Sequence, residues 1–192
     1  MSKAIILTQY SAPGTPSIAA EPPCAATIGA GAGARCRYRS LERQQDLATV
    51  DHLEELWSVD AVALAAMPAA GVARYTCVET QDSGPRDEQH GVLMIVAFNV
   101  PIARTDEVER WYRQEHAPML LRAPGWLRMR RYAPIQVAGG AQWTHLALHE
   151  LRDAAVLESA ERALARSTPW RAQLEQESWF AQAGRFIYEY LP

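Results

Sequence analysis

The sequence predicts an α+β protein made of two tandem ferredoxin-like halves, the first degenerate. Three features carry this reading. Residues 91–192 run strand, helix, strand, strand, helix, strand, the βαββαβ order of the split motif. Residues 1–80 repeat most of that order as strand, irregular stretch, strand, helix, strand, with the first helix missing. Between them, residues 81–90 (Gln-Asp-Ser-Gly-Pro-Arg-Asp-Glu-Gln-His) are polar and contain a Gly-Pro pair, the composition of a linker.

Each element has a local reason. Lys3 to Tyr10 reads as a buried strand. Residues 11–34 are rich in Pro, Gly and Ala without a period, which predicts a long loop. Arg35, Arg37 and Arg39 alternate with Cys36, Tyr38 and Ser40, so 35–41 is expected as a strand. Val50, Leu53, Trp57, Ala61 and Leu64 recur at spacings of three and four, which predicts an amphipathic helix over 47–66. Pro68 and Gly71 stop it, and 72–80 is a strand. Residues 91–100 form a continuously apolar strand. Thr105 is placed to cap a helix, with Asp106 and Glu107 in its first turn, where the helix dipole favours anions. That helix is expected to run to about His116 and to kink or end at Pro118. Strands follow at 126–134 and 143–151, then a helix at 153–166. Thr168-Pro169 opens a further short helix to about residue 180, and 185–191 closes as a strand.

Composition excludes several function classes. A chain of 192 residues can bury a core without staples. A net charge of −3 gives no electrostatic case for nucleic acid. Cys24, Cys36 and Cys77 are odd in number and widely spaced, so a disulfide framework and a cysteine zinc site are not expected. No stretch approaches the roughly 20 apolar residues of a membrane span. The apolar run after Met1 is too short for a signal peptide, and a cytoplasmic location is expected.

The densest chemistry lies in Trp111-Tyr112-Arg113-Gln114-Glu115-His116-Ala117-Pro118, followed by Pro124-Gly125-Trp126 and Arg130-Arg131-Tyr132. This arrangement, with Thr168-Pro169-Trp170 further on, resembles the dimeric α/β-barrel superfamily, nearest its EthD-like members. The resemblance covers residues 91–192; residues 1–80 match in outline only. It implies two ferredoxin-like sheets packed face to face around a small-molecule cavity. Whether such a barrel closes within one chain or in a homodimer is left open. It also implies a range of activities: cofactor-free isomerases, cyclases and lyases, small monooxygenases, and haem enzymes at the margin.

On a helical wheel at about 100° per residue, Val108, Trp111, Tyr112, Glu115 and Met119 share a face, with His116 on its flank. Glu115 and His116 are the candidate catalytic pair, His116 as general base or acid and Glu115 as its tuner or relay. The competing reading makes Glu115 a structural lock held by a nearby arginine. Tyr112 and Trp111 are candidate substrate contacts as well as core. On strand 143–151, alternation puts Trp143, His145, Ala147 and His149 on one face, so His145 and His149 are expected towards the cavity. Four residues of strand span about 13 Å, too far for the two histidines to share a metal ion. Arg128 and Arg130 fall on one face of their strand and Arg131 on the other, where Arg131 could hold a ligand oxygen. Tyr188 shares a face with Phe186 and Tyr190 that is a further candidate lining.

Two other patterns carry nothing. Gly29-Ala30-Gly31-Ala32-Gly33 lacks the offsets of a phosphate loop, and Met119 stands where HExxH would need its second histidine. The expected function is therefore cofactor-independent, metal-free acid/base chemistry on a small apolar or aromatic oxygenated molecule: an isomerase, cyclase or lyase. The alternatives are a small monooxygenase of the same fold and a non-catalytic binder of a small hydrophobic ligand.

Overall fold

A computed structural model describes residues 4–10, 32–41, 52–58, 73–84 and 89–191. The chain divides into two compact units. One comprises residues 1–80, 132–142 and 186–192; the other comprises 81–131 and 143–185.

The first unit holds β1 (Ala4–Tyr10), β2 (Ala32–Ser40), β3 (His52–Ser58) and most of β4 (Ala73–Ser83). All are antiparallel neighbours. β1 lies between β3, with Ile5 opposite Trp57, and β4, with Ile5 opposite Cys77. β2 pairs with the outer side of β3. The helix expected over 47–66 is therefore corrected, because its centre is a strand. Leu53 and Trp57 fit a helical spacing, but hydrogen-bonded partners on both sides of β3 override a local period. The rest of that stretch, and residues 11–31 of the expected loop, lie outside the described residues. β4 runs on to Ser83, into the stretch expected as a linker.

The second unit carries the clearer pattern. β5 (Val92–Phe98) is buried along its whole length, as a continuously apolar strand should be. A 3₁₀ turn at Ile102–Arg104 leads into α1 (Thr105–Trp111). Thr105 is the first helical residue rather than the cap, a correction: Arg104, at the end of the 3₁₀ turn, holds the cap position and makes no side-chain capping bond. Asp106 and Glu107 do stand in the first turn. The helix passes Pro118 and ends at Leu120. It widens into a π turn at Tyr112–His116 and continues as α2 (Ala117–Leu120). The amide of Ala117 donates to the carbonyl of Tyr112, five residues back. Pro118 has no N–H to offer, and the widened turn carries the chain past it.

The Pro-Gly turn is as expected. Gly125 has φ +96°, and a Cβ there would come within 2.8 Å of Val156 Cγ2. β6 (Trp126–Gly139) and β7 (His145–Leu151) follow. β7 lies between β5 and β6, with His149 opposite Met94 and His145 opposite Phe98. The helix expected over 153–166 is two pieces, a 3₁₀ turn at Ala154–Glu158 and α3 (Ala160–Arg166). Asp153 caps the first and Ser159 the second, so Ser159 restarts a helix where the apolar period gave no warning. Thr168 caps α4 (Pro169–Leu174) with proline at its start. α5 (Ser178–Ala181) and β8 (Gly184–Leu191) complete the βαββαβ order along the chain, β6 from residue 132 and β8 from residue 186 belonging to the first unit. The result is an α+β fold with an antiparallel sheet, consistent with a ferredoxin-like fold. Among the described residues no helix is long and apolar enough to cross a membrane.

A cavity beneath the widened helix turn

A cavity of about 270 Å³ lies within the second unit. Its inner wall is apolar and aromatic, formed by Met94, Val96 and Phe98 of β5 with Trp126, Phe180 and Trp111. Three further groups bring chemistry to it: Tyr112, His116 and His149.

The π turn is what places His116. On a regular α-helix, residues five apart differ by about 140° around the axis, so Trp111 and His116 would face different ways. With hydrogen bonds reaching back five residues, the two come into line. Their rings stack at 4.3 Å and 20°, and Tyr112 meets the same imidazole edge-on at 5.3 Å. His116 is only 7% exposed. It bonds to the Ala165 backbone, near the C-terminal end of α3, where carbonyls lack partners within the helix. Nδ1 has no partner, so the Ala165 contact assigns the proton to Nε2 and the lone pair to Nδ1. Burial holds the His116 pKa well below its usual value, and His149 and Arg171 lower it further. The group is a neutral imidazole at pH 7.

Glu115, its neighbour, does not line the cavity. Its Oε1 accepts from Trp111 Nε1 at 3.1 Å and from the Thr168 hydroxyl at 2.6 Å. The partners are therefore an indole and a helix cap rather than an arginine. Thr168 also caps α4 by accepting from the Arg171 amide, so Glu115 ties the widened turn to the start of α4.

On β7, alternation sets His145, Ala147 and His149 opposite Phe98, Val96 and Met94. Only one of the two histidines reaches the cavity. His149 is fully enclosed, packed edge-on against Trp126 at 5.3 Å, with no hydrogen-bond partner on either ring nitrogen. Burial, with Arg185, Arg131 and Arg162 behind it, pushes its pKa down to about 3. His145 is not part of the lining. Its Nδ1 lies 2.9 Å from Thr144 Oγ1 and its Nε2 lies 3.9 Å from Glu109. Its pKa is lowered by burial and by Arg131.

The arginines after the Pro-Gly turn separate by face. Arg128 makes a two-bonded pair with Asp82, at 2.7 Å for each bond, and Arg130 lies 2.7 Å from Glu150. Arg131, on the other face, pairs with Glu109 at 2.8 Å and covers the Tyr112 ring at 4.1 Å. It lies behind the cavity wall rather than in it. Burial still raises the Tyr112 phenol to about 12, although Arg131, Arg171 and Arg185 oppose the rise. Tyr188 is buried on β8 in the first unit and is not part of the lining. In the alternation of β8 it stands on the face opposite Arg185, which does line the cavity.

The groups that sequence reasoning missed are the other cations. Arg162, Arg166, Arg171 and Arg185 all line this cavity. Arg162 and Arg166 stand four residues apart on α3, a spacing that puts them on one helix face and could have flagged them. Arg171 and Arg185 carry no such local signal.

No family model matches the chain, and no curated protein does. Solved structures do resemble it over its whole length. One is an anthrone oxidase-like protein, with TM-score 0.64, 7% identity, and coverage of 100% of this chain and 92% of that one. Another is a candidate monooxygenase from Fusobacterium nucleatum subsp. nucleatum, with TM-score 0.58, 7% identity and the same coverage. At that identity the likeness is one of fold.

Proposed function

We propose that the chain is a small-molecule enzyme whose first step is removal of a proton from an oxygenated, largely apolar carbon acid, with His116 as the base. The observation that carries this is the unpartnered Nδ1 of a neutral, buried imidazole beside a cavity. Proton transfer to Nδ1 turns a neutral pair into an imidazolium and an enolate or phenolate. The surrounding guanidinium groups oppose the first charge and stabilise the second, so the anion must form next to them. Tyr112, whose phenol stays protonated, and His149 are the groups suited to hold the substrate's oxygen. Glu115 is a positioning residue that fixes the turn carrying His116.

The anion has two fates. It takes the proton back at another atom, which is isomerase or lyase chemistry, or it reacts with O₂. The names of the two structural neighbours favour the second. For an anthrone, the balanced reaction consumes one O₂ and releases the quinone and one water, without an added reductant. The strand order of the first unit, β4-β1-β3-β2, is that of a ferredoxin-like sheet and supports the tandem reading of the chain. EthD-like membership stays part of the same proposal.

The test uses anthrone in D₂O without oxygen. The protein is expected to speed deuterium uptake at the methylene carbon, and His116→Ala to abolish that acceleration. Admitting O₂ then separates the fates, since quinone formation marks the oxygenase. A protein that binds anthrone without accelerating exchange would be a carrier, and the proposal would fail.

A further inference from the structure

Four arginines line the cavity, against a single carboxylate among the described residues, Glu175. That carboxylate is already committed, because Arg171 holds it through Nε at 2.8 Å and Nη2 at 2.7 Å. Arg162 donates to the Leu157 carbonyl, a neutral partner. Burial disfavours the charged form of Arg162; Arg166 and Arg185 stand close enough to add to that, and Glu158 opposes them. Like charges at this spacing repel, and a bound anion would relieve them.

The lining is also graded. His116, His149, Trp126 and Phe98 are buried, Arg162 and Arg185 are half-buried, and Arg166 is exposed. The apolar, proton-accepting part is thus enclosed together with Arg171, while Arg162, Arg185 and Arg166 reach solvent.

We infer that this cavity selects an anionic aromatic substrate, with a carboxylate or similar oxyanion held by Arg162, Arg166 and Arg185 at the mouth and the apolar ring against Phe98 and Trp126. The inference rests on the reading above that this cavity holds the substrate, but it needs no turnover. This oxyanion is distinct from the oxygen where charge develops beside His116. It neutralises the cationic mouth and orients the reacting carbon inward.

The experiment measures calorimetric binding of 2-naphthoate and its neutral, near-isosteric amide, 2-naphthamide, to the full chain at low salt. Naphthoate is expected to bind about tenfold more tightly, and the preference should shrink as salt screens the arginines. In Arg162→Gln/Arg185→Gln the preference should vanish, with the amide affinity held within about twofold. Arg162→Lys/Arg185→Lys should keep most of the preference, and Ala183→Phe, which fills the lining, should weaken both ligands. Equal affinities in the wild-type chain, binding of neither ligand, or a preference that survives the glutamine pair would overturn the inference. So would naphthoate binding unaffected by Ala183→Phe, because the anion would then sit elsewhere. Failure of the catalytic reading shows instead as absent deuterium exchange, and either result can occur without the other.

Discussion

His116 and His149 show how burial sets the chemistry of a side chain. Both are imidazoles that water would leave half-titrated near pH 6.5, and both are held neutral by enclosure beside guanidinium groups. Replacing His116 by alanine should lower catalysed exchange by about 10²–10⁴-fold, the usual contribution of a positioned acid or base. The sign of its shift also fixes the pH profile. The neutral form persists well below pH 6.5, so the rate should be flat from pH 8 to below 6 rather than falling through the ordinary histidine range. A rate that halves near pH 6.5 would show a solvated histidine. His149 predicts a different pH effect. Above 6.5 neither folded nor unfolded chain protonates it; below, only the unfolded chain does, until about pH 3. Stability should therefore fall by about 1.4 kcal/mol per pH unit from this group as pH drops through that window. Denaturant titrations should show a shallower fall in His149→Phe.

At the scale of elements, the helix at 105–120 decides where the site faces. A wheel at constant pitch put Glu115 among apolar neighbours and His116 on the flank. The π turn reverses their standing: His116 is enclosed and Glu115 is half-exposed. The sequence marked that helix, its acidic first turn and the proline, but a one-residue change in winding has no periodic signature. Thr168-Pro169 was legible because capping chemistry is local; the bond from Thr168 to Glu115 was not, because it joins residues 53 apart. Glu115→Gln keeps an acceptor oxygen for both donors, so it should cost about 1 kcal/mol or less and leave the exchange rate within about threefold. Glu115→Ala removes the tie and should destabilise by about 1.5–3 kcal/mol while slowing exchange. If Glu115→Gln abolished exchange while the melting temperature held, Glu115 would be a proton carrier instead of a positioning residue.

Across the whole molecule, what could be read in the sequence follows the range of the interactions. The βαββαβ order of residues 91–191 was legible because its strands and caps are coded locally. β3 was misread as helix, since Leu53 and Trp57 satisfy a helical spacing while the partners that make it a strand lie on β1 and β2. The cationic cavity was illegible for the same reason, as its arginines come from three separate elements. Their opposite number is the buried network on the other face of β6 and β7. There Glu150 lies 2.7 Å from Arg130, 3.7 Å from His90 and 3.8 Å from Arg128. Arg130 is 1% exposed, so Glu150→Ala would take a charged partner from a buried guanidinium and should destabilise the fold by about 1.5–3 kcal/mol. Chemical denaturation would measure it; a loss below 1 kcal/mol would mean that water reaches the site.

The proposed chemistry turns on one atom, the unpartnered Nδ1 of a neutral His116. Nitrogen-15 NMR of the histidine side chains, titrated from pH 8 to 5, observes it directly. The expected spectrum has the His116 proton on Nε2 and a bare Nδ1, unchanged across the titration. A proton on Nδ1, or a midpoint near pH 6.5, would contradict the account.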